Sequence, residues 1–156
     1  MNFQKIGFIG LGLIGGSIAK KIKANCPKTQ IYATAHHIET IQEAYKEGII
    51  ENSNLLSMSD FSECDCIFLC APVQRNLDYL AQLKDTIKKD CYITDVGSTK
   101  TEIHEEVIRL DMEANFIGGH PMTGSEKYGY DNADSSIIKG AYYVLTPGKN
   151  ASDKQI

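Results

Sequence analysis

His120 is the side chain in this sequence whose type and position best fit acid–base catalysis. It directly follows a predicted strand, in the segment Gly118-Gly-His-Pro-Met-Thr-Gly-Ser-Glu126, and Pro121 favours an extended chain there. Histidine exchanges a proton near neutral pH, which suits the role of general base. His104 lies inside a predicted helix, where a structural role is the simpler interpretation.

Ser98 lies at the end of the neighbouring predicted strand, in the segment Asp95-Val-Gly-Ser-Thr-Lys100. Ligands of parallel α/β sheets bind in the crevice at the carboxyl ends of the strands. We therefore expect Ser98 and His120 to face one crevice, where the serine hydroxyl orients either the histidine or a substrate. The two residues are predicted to form a catalytic pair.

A glycine-rich turn near the start of the chain predicts a dinucleotide site. The segment Gly10-Leu-Gly-Leu-Ile-Gly15 fits the pattern G-x-G-x-x-G after a strand and at the start of a helix. Gly10 allows the tight turn, Gly12 lets the backbone approach a pyrophosphate, and Gly15 permits close contact of helix and strand. The free N–H groups and the dipole of that helix favour a phosphate, although a turn that serves packing alone is the alternative. The expected cofactor contacts of this turn are Gly10, Gly12, Leu13, Ile14 and Gly15.

The end of the second predicted strand bears on the choice between NAD and NADP. An Asp or Glu about 20 residues after the glycines normally binds the adenosine ribose of NAD, but this chain has Ala35 there. His36 and His37 follow, and a histidine donates to the 2′-phosphate of NADP, which a carboxylate repels. His36 is therefore a predicted cofactor contact and NADP is slightly favoured over NAD. Two exposed loop histidines without a ligand are the alternative.

The pattern of apolar residues predicts the elements that position these side chains. Strands and helices alternate, which predicts an α/β fold with a doubly wound, mostly parallel sheet of the Rossmann type. Strands are predicted at residues 5–9, 30–35, 66–70, 92–94, 115–118 and 141–146, and helices at residues 14–25, 38–46, 73–88 and 99–110.

Composition excludes several classes of function. The chain has 156 residues, 42% of them hydrophobic and 23% charged, which is enough to bury a core. Its net charge of −4 and scattered basic residues argue against nucleic-acid binding. No apolar stretch is long enough to span a membrane and no cleavable signal precedes the first strand, so a cytoplasmic protein is expected.

The five cysteines are expected to be reduced and three of them to be core residues. Cys64, Cys66 and Cys70 lie in the run Cys64-Asp-Cys-Ile-Phe-Leu-Cys70, which is typical of a buried strand. A zinc site normally has Cys-x-x-Cys spacing and a second pair of ligands, and the run has neither. No metal site is predicted.

The last residues are interpreted as the start of a connection. Residues 1–147 are predicted to form the dinucleotide-binding domain, and residues 148–156 a linker or the first helix of a C-terminal domain that is missing here. Ser152 would be the N-cap of that helix.

Four motifs are more specific in combination than any is alone. They are Gly10-Leu-Gly-Leu-Ile-Gly-Gly-Ser17, Cys70-Ala-Pro72, Asp95-Val-Gly-Ser-Thr-Lys100 and Gly119-His-Pro-Met-Thr-Gly-Ser-Glu126. In this order and spacing they resemble the prephenate or arogenate dehydrogenase family of tyrosine biosynthesis. The resemblance implies NAD(P)-dependent oxidative decarboxylation of prephenate to 4-hydroxyphenylpyruvate.

The resemblance also implies roles for individual residues. His120 would accept the proton of the substrate's C4 hydroxyl, and Ser98 would hydrogen-bond that hydroxyl and help to place the nicotinamide. Ala71 and Pro72 would contact the cofactor, and Ser125 and Glu126 would line the substrate pocket. In that family a C-terminal helical domain forms the dimer interface and supplies an Arg for the carboxylates. A homodimer is therefore expected of the full-length protein, and little turnover of this chain alone.

Two other functions remain open from the sequence. A non-enzymatic dinucleotide sensor would use the same glycine turn but would not need His120 and Ser98 at one crevice. Another dehydrogenase of this fold, acting on arogenate, a hydroxy acid or a hydroxyacyl thioester, would be distinguished by a panel of substrates.

Overall fold

A computed structural model describes residues 3–148 and 151 of the chain. The strands are β1 Lys5–Ile9, β2 Gln30–Thr34, β3 Cys66–Leu69, β4 Tyr92–Asp95, β5 Phe116–Pro121 and β6 Tyr143–Thr146. The helices are α1 Leu13–Asn25, α2 Ile38–Lys46, α3 Val73–Leu83 and α4 Thr101–Arg109.

The strands form one six-stranded sheet in the order β2-β1-β3-β4-β5-β6. The first five strands are parallel to their neighbours, and β6 runs antiparallel to β5 at the edge. The order reverses between β1 and β3, which is the switch point where ligands of such sheets bind. The prediction of a doubly wound, mostly parallel sheet is confirmed.

Helices cover the sheet and create two cores. Ile9 and Leu69 belong to a cluster with residues of α3 and α4, whereas Phe8 belongs to a second cluster with residues of α1 and α2. Ile9 and Phe8 are neighbours in β1 and point to opposite faces, as the period of a strand requires. Burial on both faces explains why the central strands are continuous apolar runs rather than alternating ones.

The predicted ends of the third helix and of the fifth strand are wrong. The third helix was expected to reach residue 88, but α3 ends at Leu83. The backbone N–H of Thr86 bonds to Leu83 O and its hydroxyl donates to Gln82 O, so local bonds replace the helical ladder. The fifth strand was expected to end at Gly118, but β5 continues to Pro121 because it pairs with β6 from Gly118 onward.

The segment between β5 and β6 contains two short 3₁₀ helices that sequence periodicity did not predict, Tyr130–Asn132 and Ser135–Ile138. This segment is anchored on α1, because Ser17 Oγ accepts a hydrogen bond of 2.9 Å from the Asp134 backbone. Tyr130 is buried and its hydroxyl donates to Glu47, 2.7 Å away. The chain that follows His120 is thereby held beside the helix of the glycine turn.

Of the linker or helix predicted at residues 148–156, the structure describes residues 148 and 151, and the predicted N-cap Ser152 lies outside the described residues. Within the part of the chain that is described, no helix combines the length and the apolar character that crossing a membrane requires.

Candidate functional site

The glycine turn connects β1 to α1 at the carboxyl end of the sheet. Gly10 has a φ of +94°, and a Cβ there would lie 2.7 Å from the Ala71 backbone nitrogen, so both conformation and space call for glycine. A Cβ on Gly15 would lie 2.5 Å from Gly10 O, which confirms the close approach of helix and strand. Gly12 has no neighbour within 4 Å of such a Cβ, so its backbone is open to a ligand.

The N-terminus of α1 has the free donors that a phosphate requires. Its N-cap is Gly12, no side chain caps it, and no acidic residue lies in its first turn. The backbone N–H groups of Leu13 and Ile14 therefore have no side-chain acceptor, and the helix dipole adds a positive potential. A cavity of about 340 Å³ opens at this point, lined by Gly12, Leu13 and Ile14.

The end of β3 forms the wall next to the turn. Cys70 lines the cavity, and burial, with a smaller contribution from Asp95, raises the pKa of its thiol above the ordinary range. The thiol is therefore neutral and acts as a small apolar side chain. Ala71 and Pro72 follow, and the buried Asn76 holds this loop because its Nδ2 donates to Ala71 O at 2.9 Å.

The candidate catalytic residues lie at the carboxyl ends of β4 and β5. His120 is inside β5 and not after it, since pairing with β6 extends the strand. Its ring is half-buried and Nδ1 lies 3.4 Å from Val96 O, on the loop that follows β4. Ser98 is exposed on the same loop, two residues after Val96. The structure brings the two residues to one edge of the sheet, but no hydrogen bond joins them.

The loop 123–129 contributes to the lining of the same cavity as the glycine turn. Of the two predicted substrate-pocket residues, Ser125 lines this cavity, whereas Glu126 is exposed and is not in its lining. Lys127 and Tyr128 also line it, and sequence reasoning did not single them out. The available signal for Lys127 was that it directly follows Ser125 and Glu126, the two predicted substrate-pocket residues.

The residues that bear on NAD or NADP are at the end of β2. Ala35 is half-buried, and His36 and His37 are exposed with their ring centroids 4.6 Å apart in an edge-to-face arrangement. The structure thus leaves both imidazoles accessible.

The cysteines of β3 and its surroundings are buried in the core, as predicted for Cys64 and Cys66. Burial is the largest cause that raises the pKa of Cys64 to about 11 and that of Cys91 to about 12. These thiols are protonated near neutral pH. Among the described residues no group of three His, Cys, Asp or Glu side chains is arranged to hold a metal ion.

A comparison with protein families decides the relationship of this chain. The family model for the nucleotide-binding domain of prephenate dehydrogenase matches residues 18–156. The chain belongs to this family. The matched range includes β3 to β5 and begins three residues after Gly15, the last glycine of the turn.

Individual relatives agree with the family assignment. The prephenate dehydrogenase of Lactococcus lactis subsp. cremoris is 44% identical over 147 residues, which are 92% of this chain and 41% of that protein. The prephenate dehydrogenase of Bacillus subtilis is 38% identical over 159 residues, which are 99% of this chain and 43% of that protein. The chain spans less than half the length of these two curated relatives.

A solved structure also matches the fold closely. The crystal structure of prephenate dehydrogenase from A. aeolicus, in complex with hydroxyphenyl propionate and NAD+, superposes with a TM-score of 0.90 at 30% sequence identity. The match covers 99% of this chain and 54% of that one. The chain therefore spans about half the length of that solved structure.

Proposed function

We propose that this chain binds NAD+ or NADP+ at its glycine turn and supplies the general base for the oxidative decarboxylation of prephenate. The observation that carries the proposal is the position of His120. Its ring lies at the same sheet edge as the uncapped start of α1 and contacts the carbonyl of Val96 through Nδ1. A sensor that only binds a nucleotide has no need for an acid–base group at that edge.

The reaction removes a hydride from C4 and a proton from the C4 hydroxyl of prephenate. The electron pair of the bond to the departing carbon dioxide makes the ring aromatic and converts the C4 oxygen to a phenolate, which takes the proton back from the base. A bound nicotinamide would supply the hydride acceptor. With its proton on Nδ1, His120 donates to Val96 O, 3.4 Å away, and its Nε2 is then free to accept the hydroxyl proton. A more anionic oxygen expels hydride more readily, so the base lowers the barrier.

Ser98 and Ser125 are proposed to orient the reactants around His120. Ser98 is exposed at the end of β4, where its hydroxyl is available to the C4 hydroxyl and the nicotinamide. Ser125 lies in the cavity wall next to Lys127, whose ammonium group suits an anionic substrate. Glu126 is exposed, and a carboxylate beside a dianion is better suited to arranging cations than to binding the substrate itself.

The residues present fit the phosphate part of a dinucleotide. Gly12 leaves open space, the first turn of α1 offers uncapped N–H groups, and the Ala71 backbone lies against Gly10. Cys70 lines the cavity, whereas Ala71 and Pro72, the predicted cofactor contacts, do not. We favour NADP+ over NAD+, because Ala35 replaces the ribose-binding carboxylate and His36 is exposed next to it. The expected location in the cytoplasm and the homodimer of the full-length protein stay predictions from the sequence.

Titration of the purified chain with NAD+ and NADP+ tests the binding part of this proposal, and prephenate-dependent reduction tests the catalytic part. The chain is expected to bind both dinucleotides, NADP+ more tightly, with little turnover on its own. The reason is that the matched region is less than half of these relatives, and binding a dianionic substrate calls for cationic partners, which the remaining length of such a protein would supply. Robust turnover by the chain alone would contradict the expectation of low activity. Failure to bind either nucleotide would contradict the proposed binding at the glycine turn.

A further inference from the structure

Asp95, the last residue of β4, carries a carboxylate whose two oxygens are both bonded to the candidate active-site segments. Its side chain is fully buried, with 0% of its surface exposed. Oδ2 accepts hydrogen bonds from the Gly97 backbone at 2.9 Å and from Lys100 Nζ at 2.5 Å. Oδ1 accepts a bond of 3.1 Å from the backbone N–H of Gly119, the residue that precedes His120.

The Asp95 bond to Gly119 occurs where the backbone pairing of β4 and β5 has stopped. The register pairs of these strands are Ile93 with Phe116 and Thr94 with Ile117, and there are none beyond. The next part of β5 pairs only with β6. The Asp95 side chain therefore takes the place of the missing ladder between β4 and the part of β5 that carries His120.

Two further side chains stabilise the carboxylate and its backbone. Lys100 is the counterion and also donates to Gly97 O at 2.6 Å, which closes the loop around Ser98. Tyr143 in β6 donates to the Asp95 backbone carbonyl at 3.1 Å, and burial raises the pKa of its phenol, so it remains a donor. A buried carboxylate requires such partners, because an unpaired charge in this environment is strongly destabilising.

Gly119 permits this close arrangement. A Cβ at that position would lie 2.6 Å from the Tyr143 hydroxyl and 2.8 Å from Asp95 O. The glycine before His120 is thus explained by the close packing of β5 against Tyr143 of β6 and the backbone carbonyl of Asp95 in β4.

We propose that Asp95 is a positioning residue whose single carboxylate fixes the loop of Ser98 relative to the strand of His120. This inference rests on the proposed function, because it assigns the geometry to the reaction of those two residues. Asp95 does not touch substrate or cofactor in this scheme. It acts through the backbone of Gly97 and Gly119.

The test compares Asp95→Asn with Asp65→Asn in the full-length gene product. Asp65 is a matched control, because it also accepts two backbone N–H groups and one lysine but lies at the amino ends of the strands. An asparagine at position 95 has only one oxygen acceptor, so its amide NH2 group would face the backbone N–H of either Gly97 or Gly119. The hydrogen bond to that residue would be lost. A displacement on the order of 1 Å costs up to about 100-fold in rate. We expect kcat to fall roughly 10- to 100-fold in Asp95→Asn, with a change of less than about threefold in the Kd of the dinucleotide.

Asp65→Asn is expected to lower the Tm and to leave kcat unchanged. Equal losses of kcat in the two variants, or an unchanged kcat in Asp95→Asn, would overturn the proposal. If Asp95→Asn does not fold, Lys100→Gln and its matched control Lys88→Gln replace the pair. Lys100→Gln is then expected to lower kcat several-fold and Lys88→Gln to leave it unchanged, and an unchanged kcat in Lys100→Gln would overturn the proposal.

Amide hydrogen exchange separates a failure of this proposal from a failure of the proposed function. A wild-type protein without prephenate-dependent reduction would contradict the function alone. The positioning role is then judged by exchange at Gly97 and Gly119, which should both become faster in Asp95→Asn and remain slow in Asp65→Asn. Unchanged exchange at either glycine in Asp95→Asn would overturn it.

Discussion

Asp65 and Asp95 stand at opposite ends of the same parallel sheet and use the same set of bonds. Asp65 accepts from the backbone of Gln4 at 2.6 Å and of Lys5 at 2.9 Å, and from Lys88 Nζ at 2.6 Å. Asp95 accepts from two backbone N–H groups and from Lys100. The side chain of Asp65 is 27% exposed, whereas that of Asp95 is fully buried.

The difference lies in what each carboxylate holds. Asp65 ties the start of β1 to the start of β3, where no candidate functional residue lies. Asp95 ties together two segments at the carboxyl ends, where parallel sheets bind their ligands. The same arrangement of hydrogen bonds therefore only joins two strands at Asp65, whereas at Asp95 it sets the geometry of the candidate site. Changes at the two ends should accordingly affect different measurements.

The largest effect is expected from His120→Asn. Removal of a general base costs about 100- to 10,000-fold in rate, so kcat of the full-length gene product should fall by that factor. The dinucleotide Kd should hardly change, because the glycine turn and α1 are untouched. Steady-state kinetics and a fluorescence titration of the cofactor measure the two quantities. Normal turnover in this variant would remove His120 from the mechanism and would favour a nucleotide sensor.

The next largest effect is expected from Gly12→Val, a change that should affect binding but not folding. Gly12 has an ordinary φ of −98° and nothing within 4 Å of its Cβ position, so the folded chain accommodates a side chain there. A bound pyrophosphate would occupy that space, and the Kd should rise at least about tenfold, or about 1.4 kcal/mol. Calorimetric titration and a melting curve test this.

Gly7→Ala is the control for Gly12→Val, because Gly7 lies in β1 among packed side chains. A Cβ there would lie 2.6 Å from the Phe61 ring and 3.2 Å from Cys64 Sγ. Gly7→Ala should lower the Tm without a specific loss of nucleotide affinity. A Gly12→Val variant that lost stability instead of affinity would show that the turn serves packing alone.

Asp65→Asn should produce a smaller effect that is confined to stability and depends on pH. Burial by itself raises the pKa of Asp65, but the hydrogen bonds from Lys88, Lys5 and Gln4 outweigh it and the net pKa is lowered. The substitution should cost about 2 kcal/mol of unfolding free energy near neutral pH. Urea unfolding at a series of pH values provides the measurement.

The direction of this pH dependence follows from the lowered pKa. The stabilisation is fully present above the carboxyl pKa of the unfolded chain, about 3.9, and is lost as the pH falls through the lower folded value. The difference between wild type and Asp65→Asn should therefore be constant at neutral pH and shrink below about pH 4. A difference that grew on acidification would refute the assignment of an ionised, bonded Asp65.

The smallest effect is expected from His36→Ala. If its imidazole contacts the 2′-phosphate, affinity for NADP+ should fall a few-fold, on the order of 1 kcal/mol, while affinity for NAD+ stays the same. Parallel titrations with the two nucleotides measure the ratio, and His37→Ala is the natural comparison. An equal effect on both nucleotides, or none on either, would remove the preference for NADP+.

The sequence was sufficient for most of the fold because local signals agreed with the final packing. The apolar run at residues 66–69 and the helical spacing of Leu77, Leu80 and Leu83 each specify one element without reference to the others. The glycine turn was predictable for the same reason, since Gly10 and Gly15 serve contacts within one βαβ unit. The end of α3 was missed because its last bonds depend on Thr86, whose hydroxyl competes with the helix.

The extent of β5 and the pairing at Asp95 are different, because they depend on residues far apart in the chain. His120 is placed in a strand only because β6, more than twenty residues later, pairs with it. The sequence motif showed that Asp95 and Lys100 are charged residues after a strand. It did not show that Asp95 accepts a hydrogen bond from the Gly119 N–H, because that bond requires β4 and β5 to be neighbours. Sequence by itself determined which groups capable of chemistry follow each strand. Only the tertiary structure decided their distances, because hydrogen bonds between distant segments require those segments to be neighbours in the folded sheet.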